Sequence, residues 1–187
     1  LVLVLYPSVV LIVQSFVAEG RLSLAHYLRL ARDPAAQRVL VNSLVTSAWA
    51  TVGGTALGAV LAWLVARTDL PARHLWRTLL LLPYMIPPFI GAIAWVYLAG
   101  PAGYLNQAWR ALTGAAEPLV VIYGQWGIVL VLILYGYPIA YLAALGVLER
   151  MDPALEAAAR LAGAGPWRVL RDVTLPLAAP GVLAGAL

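Results

Sequence analysis

Apolar and polar positions alternate in long blocks along this chain. The runs Leu1–Val17, Val39–Ala66, Thr78–Ala99 and Leu119–Leu148 are almost wholly apolar, and a fifth begins at Leu177 and continues to Leu187. A bilayer is crossed by about 20 apolar residues in a helix, so the pattern predicts an all-α polytopic membrane bundle with about five spans. The intervening segments 18–38, 67–77, 100–118 and 149–175 are polar and carry all the arginines. In the first of them, Leu22, Leu24, Tyr27, Leu28 and Leu30 recur among Arg21, Arg29 and Arg32, which predicts a short amphipathic surface helix. His26, in the same segment, reads as a bystander.

Two spans carry internal features. In the second, Ala50, Gly54, Gly58 and Ala62 fall at i, i+4 spacing, and small residues so placed let helix backbones approach closely, although a glycine- and alanine-rich helix also shows this pattern by chance. In the third, Pro83, Pro87 and Pro88 precede Gly91. Each proline removes a backbone donor, and such breaks persist at membrane depth only where protein or a water-filled cavity satisfies the backbone. Pro83, Pro87, Pro88 and Gly91 are therefore candidates for lining a translocation path, the alternative being a purely structural kink. The fourth span holds Tyr123, Tyr135, Tyr137, Pro138 and Tyr141, of which Tyr123 reads as an interfacial anchor.

The segment Met151–Pro180 is an island of polar and small residues. Asp152 is a good N-cap, with Pro153 at the first helical position. Leu155–Ala162 is alanine-rich and helix-forming. Gly163 suits the left-handed stop of such a helix, and Gly165-Pro166 opens a second one. Ala157, Ala158 and Ala159 present little side chain, so another protein surface can approach the backbone there, with arginines beside it to pair with acidic groups; the same composition fits a solvated helical loop equally well.

Composition sharpens this picture. The 187 residues are 63% hydrophobic and 11% charged, outside the range of a soluble domain of this size. There is no cysteine, which excludes disulfides, thiol nucleophiles and cysteine metal sites. All twelve cations are arginine, and the net charge of +4 sits in the loops, where it reads as membrane orientation rather than nucleic-acid binding. Segments 67–77 and 149–175 carry seven arginines against five in the other two, a bias that places them on the cytoplasmic side. The chain starts and stops inside apolar runs, so it reads as an excerpt truncated at both ends, and the first run lacks the charged flank of a signal peptide.

Ala157-Ala158-Ala159, Gly163, and Val173-Thr174-Leu175-Pro176 after nine further residues resemble the EAA loop, EAA-x3-G-x9-I-x-L-P, of the membrane permeases of binding-protein-dependent ABC importers. The chain departs from it by Ala157 in place of glutamate, with Glu156 one position early, and by Val173 in place of isoleucine. Asn42-Ser43 and the run Ala66-Arg67-Thr68-Asp69-Leu70-Pro71 also resemble that family, and within it the stretch Leu82-Pro83 to Trp95 and the Gly100–Asn106 loop most resemble ferric-iron-type members. The resemblance implies a type I importer transmembrane domain over 1–187, partial in extent, with a coupling loop at 149–175. It implies ATPase-coupling roles for Asp152, Glu156, Ala157, Ala158, Ala159, Gly163, Leu175 and Pro176. Its implied partners are cytoplasmic ABC ATPase subunits, a periplasmic substrate-binding protein, a second permease half or subunit, and the lipid bilayer of a bacterial inner membrane. ATP would be bound by the ATPase, with no cofactor, catalytic residue or metal in this chain. The cargo implied is ferric iron, with thiamine, phosphonate, polyamine or sulfate as alternatives within the same pattern.

Two other classes fit less well. An intramembrane enzyme needs ionisable or nucleophilic side chains within its spans, but both histidines lie in loops and the acidic residues fall outside the spans or at their edges. A passive channel would account for the prolines of the third span but not for the EAA spacing.

Overall fold

The computed structural model describes residues 2–18 and 20–186. Leu1, Glu19 and Leu187, which belong to the first run, the first loop and the last run, lie outside the described residues. The chain divides into two compact units, residues 1–45 and 46–187.

In the first unit, helix α1 (Val2–Ser15) runs through Pro7. A two-residue antiparallel hairpin follows, β1 (Val17–Ala18) with β2 (Arg21–Leu22), which the hydrophobic pattern did not predict. Strands this short carry no alternation to read. The amphipathic helix expected in this loop is α2 (Ala25–Arg32), with Arg29 and Arg32 in its last turn. Tyr27 anchors it to the end of α1: its hydroxyl lies 2.6 Å from Ser15 Oγ, and its ring centroid is 5.2 Å from that of Phe16. His26 Nε2 lies 3.1 Å from the Val17 carbonyl, which gives this side chain a structural partner. Helix α3 begins at Pro34, five residues before the predicted start, because Asp33 caps it by accepting from Ala35 N at 2.9 Å.

The second unit is organised around α3, which runs on to Arg67, and α8 (Gln125–Arg150). Gly54, Gly58 and Ala62 are buried on α3, while Tyr137, Ala140, Tyr141 and Ala144 are buried on α8. A Cβ built at Gly58 would sit 2.7 Å from both Tyr137 O and Tyr141 N, so the two backbones nearly touch. The small-residue stripe is therefore a helix-packing face.

The predicted third span is not one helix. It comprises α4 (Arg73–Leu79), α5 (Leu82–Met85) and α6 (Pro88–Ala99). Ile86 and Pro87 are extended, as a residue before proline prefers, and this separates α5 from α6. Tyr137 of α8 donates from its hydroxyl to Leu80 O at 2.8 Å, satisfying a carbonyl at the first break. The 100–118 loop contains an unpredicted helix, α7 (Tyr104–Thr113). Fully buried Asn106 ties it down: Nδ2 donates to Gly100 O and Val120 O at 2.7 and 2.8 Å, and Oδ1 accepts from Val120 N at 3.0 Å. The non-helical chain around Val120 is thereby held, and α8 starts at Gln125 rather than at Leu119.

Beyond α8 come α9 (Pro153–Leu161), α10 (Pro166–Val169), a π-helical turn (Leu170–Thr174) and α11 (Leu175–Ala184). The last three form one continuous helical stretch. Pro176 has no N–H for the carbonyl four residues back, and the widened turn, closed by Leu175 N on Leu170 O, accommodates it. Among the described residues, three helical stretches are long and apolar enough to cross a membrane: Pro34–Arg67, Pro88–Thr113 and Gln125–Arg150. The middle one is interrupted at the Gly100–Gly103 turn. Of the five runs expected as spans, α1 and α11 are shorter helices of 14 and 10 described residues.

Candidate functional site

Helix α9 forms as its residues dictate. Asp152 Oδ1 accepts from Ala154 N at 2.9 Å, capping the start, with Pro153 at the first position. At the other end Gly163 has φ +86°. Gly163 N bonds Arg160 O and Ala164 N bonds Ala159 O, each at 3.0 Å. This paired closure is the Schellman motif, which places a left-handed residue just past the helix.

The helix has two unlike faces. Ala154, Ala157, Ala158 and Ala162 are exposed, and Leu161 projects from this small-residue surface at 91% exposure. Ala159 is half-buried, and Glu156 is 5% exposed and turned inward. Glu156 Oε1 accepts from Thr174 Oγ1 at 2.8 Å and lies 3.6 Å from Arg67 Nε, while Oε2 lies 3.6 Å from Arg160 Nη2. Arg67 Nη2 in turn donates to Leu148 O at 2.7 Å and Met151 O at 3.0 Å, carbonyls that the end of α8 leaves without helical partners. Leu175 and Pro176 are exposed but belong to α11, not to the alanine face of α9. The candidate residues thus divide into an outer group, Asp152, Ala157, Ala158 and Gly163, an inner anchor, Glu156, and a separate helix start at Leu175-Pro176.

Flanking charges complete this end of the unit. Arg77 pairs with Glu149 at 2.8 Å. Arg171 Nε and Nη2 donate to the two carboxylate oxygens of Asp172 at 2.6 and 3.2 Å. That hydrogen bonding, more than any other influence, holds the Asp172 carboxyl below the usual carboxylate range.

Two of the clefts in the second unit bear on a translocation path. One, of about 410 Å³, is lined by Pro83, Ile86, Gly91, Trp95, Tyr135 and Tyr137 among others, and is predominantly apolar. It brings Pro83 and Gly91 together. Pro87 and Pro88 are exposed and do not line it. The other, of about 350 Å³, lies between α3 and α8 and is lined by Ser47, Thr51 and Thr55, one helical turn apart, with Gly54 and Gly136. The sequence assigns no site role to these hydroxyls or to Leu161, and Arg67 and Thr174 enter it only within the runs 66–71 and 173–176. The i, i+4 spacing of Ser47, Thr51 and Thr55 was the available signal. For Arg67 and Thr174 no local signal exists, since their partner is distant in sequence. Among the described residues no cluster of three histidine, aspartate or glutamate side chains could hold a metal ion.

Residues 54–187 match the family model described as "Binding-protein-dependent transport system inner membrane component". The chain is 33% identical over 158 residues to the molybdenum transport system permease protein ModB of Escherichia coli (strain K12), covering 83% of this chain and 66% of that protein. It is 32% identical over 133 residues to the sulfate transport system permease protein CysW of Synechocystis sp., covering 71% of this chain and 46% of the relative. It thus spans between about half and two thirds of the length of these curated relatives. The crystal structure of a bacterial ABC transporter involved in the import of the acidic polysaccharide alginate superposes with a TM-score of 0.80 at 20% identity, covering 98% of this chain and 65% of that one. At that identity the likeness is one of fold. The ferric-iron expectation finds no support in these relatives, whose names specify molybdenum and sulfate.

Proposed function

The chain belongs to the family of binding-protein-dependent transport system inner membrane components, and from that premise we propose that it is the membrane-spanning permease part of an ABC importer for a tetrahedral oxyanion, molybdate first. Its kinship with molybdenum and sulfate permeases supports the cargo class. The observation that carries the mechanism is the two-faced α9, with alanines and Leu161 outward and Glu156 inward. A short helix with a nearly bare outer face and one projecting leucine fits a groove in a cytoplasmic ATPase. Asp152, Ala157, Ala158 and Gly163 shape that contact, Glu156 anchors it from within, and Leu175-Pro176 sets the start of the helix behind it. ATP closes the ATPase pair, α9 moves with it, and the spans change their access from the periplasmic to the cytoplasmic side. A periplasmic binding protein delivers the anion, and a second permease copy or half completes the path. The permease itself hydrolyses nothing.

Two surfaces suit the path. The hydroxyls of Ser47, Thr51 and Thr55 offer hydrogen-bond donors to an oxyanion in place of water. The cleft at Pro83 and Gly91 is mainly apolar, with Trp95, Tyr135 and Tyr137 supplying its polar atoms, and the breaks around it give the third segment its hinge. Replacing both Pro87 and Pro88 by alanine should let α5 and α6 join and lower the transport rate several-fold. Unchanged uptake kinetics would remove the third segment from the moving parts.

The deciding experiment is uptake by the full-length permease reconstituted with its ATPase and binding protein. Molybdate should accumulate only with ATP, and sulfate should compete. ATP-dependent accumulation of ferric iron without molybdate would overturn the oxyanion assignment. An ATPase that fails to associate with the permease would overturn the importer reading itself.

A further inference from the structure

We infer that Arg67, Glu156 and Thr174 form a latch that makes the coupling helix α9 one mechanical body with the ends of α3 and α8 and the start of α11; this rests on the importer reading for its consequence, but not for its geometry. One carboxylate and one guanidinium hold four elements. Arg67 is the last residue of α3. Its Nη2 donates to Leu148 O at the end of α8 and to Met151 O just beyond it, and its Nε faces the Glu156 carboxylate of α9 at 3.6 Å. Glu156 accepts from Thr174, the last residue of the π turn before α11, at 2.8 Å. The Arg67 and Glu156 side chains are only 11% and 7% exposed.

Burial at that depth is a poor way to gain stability, since removing both charges from water offsets much of their attraction. What such a pair does provide is register, because a buried charge tolerates only the geometry that pairs it. The rest of α9 supplies no comparable ionic hold, as its outer face is alanine and a Cβ at Gly163 would meet nothing within 4 Å. Displacing α9 without the latch would bend the loop on either side of it. With the latch, the same displacement moves α3, α8 and α11 together. Arg67 is in these terms a positioning residue that acts through Glu156.

The test compares Arg67→Met, Glu156→Gln, the double variant and Thr174→Val in the full-length permease assembled with its ATPase and binding protein, reading ATP hydrolysed per molybdate imported. Each ionic variant should raise that ratio roughly tenfold, within the usual range of coupling between sites. The double variant should match the worse single one, because both remove the same link. Thr174→Val, isosteric and slight in its effect on folding, should raise the ratio less. A merely structural role would lower assembled protein and leave the ratio unchanged. A wild-type ratio in Thr174→Val and in every ionic variant that assembles overturns the latch. A nitroxide at an Ala158→Cys site in the isolated full-length permease reads the geometry separately. Its mobility should rise in Glu156→Gln, and an unchanged spectrum overturns the latch even if wild type imports no molybdate. Loosened α9 with no import by wild type would instead mark failure of the importer reading alone.

Discussion

Replacing Gly58 with leucine is expected to abolish the native packing of the second unit. A Cβ at this position would meet Tyr137 O and Tyr141 N at 2.7 Å and Ala140 Cβ at 2.9 Å. The two nearest atoms are backbone, so no rotamer change relieves the contact, and α3 and α8 must separate. Overpacking of this kind costs on the order of 3 kcal/mol or more when the neighbours cannot move aside. Separation would also strip the burial of Tyr141 and Ala62, both 0% exposed at present. The measurement is apparent Tm of the detergent-solubilised full-length permease, with Gly146→Ala as control. Gly146 lies on α8 with nothing within 4 Å of its would-be Cβ, so alanine there should be neutral or stabilising by up to about 1 kcal/mol. Equal Tm values for Gly58→Leu and wild type would show that α3 and α8 do not approach as described.

Gly163→Leu should leave the bundle folded and break coupling instead. The position has φ +86° and open space around it, so the penalty is conformational rather than steric. A leucine held there costs roughly 1–2 kcal/mol in the left-handed region. The chain escapes that cost by abandoning the turn, which releases the bonds from Gly163 N to Arg160 O and from Ala164 N to Ala159 O. The end of α9 then frays at Leu161, the residue that projects furthest from its outer face. Import should fall at least tenfold, or the ATPase should fail to co-purify, while membrane insertion and Tm stay near wild type. Gly163→Asn is the discriminating control, because asparagine enters the left-handed region at lower cost and should retain much of the activity. Wild-type uptake by Gly163→Leu would remove the turn from the coupling mechanism.

The two glycines were legible in the sequence to different degrees. Gly163 announced its role locally: an N-cap, a proline, an alanine run and then glycine describe one helix from end to end, and α9 has those limits within a residue or two. Gly58 stood in a stripe that a glycine- and alanine-rich helix also produces by chance, and only the position of α8 against it shows which alternative holds. The prolines announced a broken third segment, yet not that it divides into three helices, nor that Pro87 and Pro88 would stand outside the cleft containing Pro83 and Gly91. Backbone direction after each break depends on what satisfies the freed carbonyls, and Tyr137, fifty-seven residues from Leu80, does so at the first.

By itself, then, the sequence determined much that depends on neighbours within a few residues, though not the β1–β2 hairpin or helix α7. The all-α class follows from run length and hydropathy, the limits of α9 from capping and propensity, and the family from the spacing of its glycine and Leu-Pro. Tertiary structure alone decided which side of each element faces inward. Glu156 reads in sequence as one more polar residue of a docking loop, but it is buried because Arg67, 89 positions earlier, and Thr174, 18 positions later, meet it there. A buried charge needs partners, and partners brought together from three elements leave no periodic trace in any one of them.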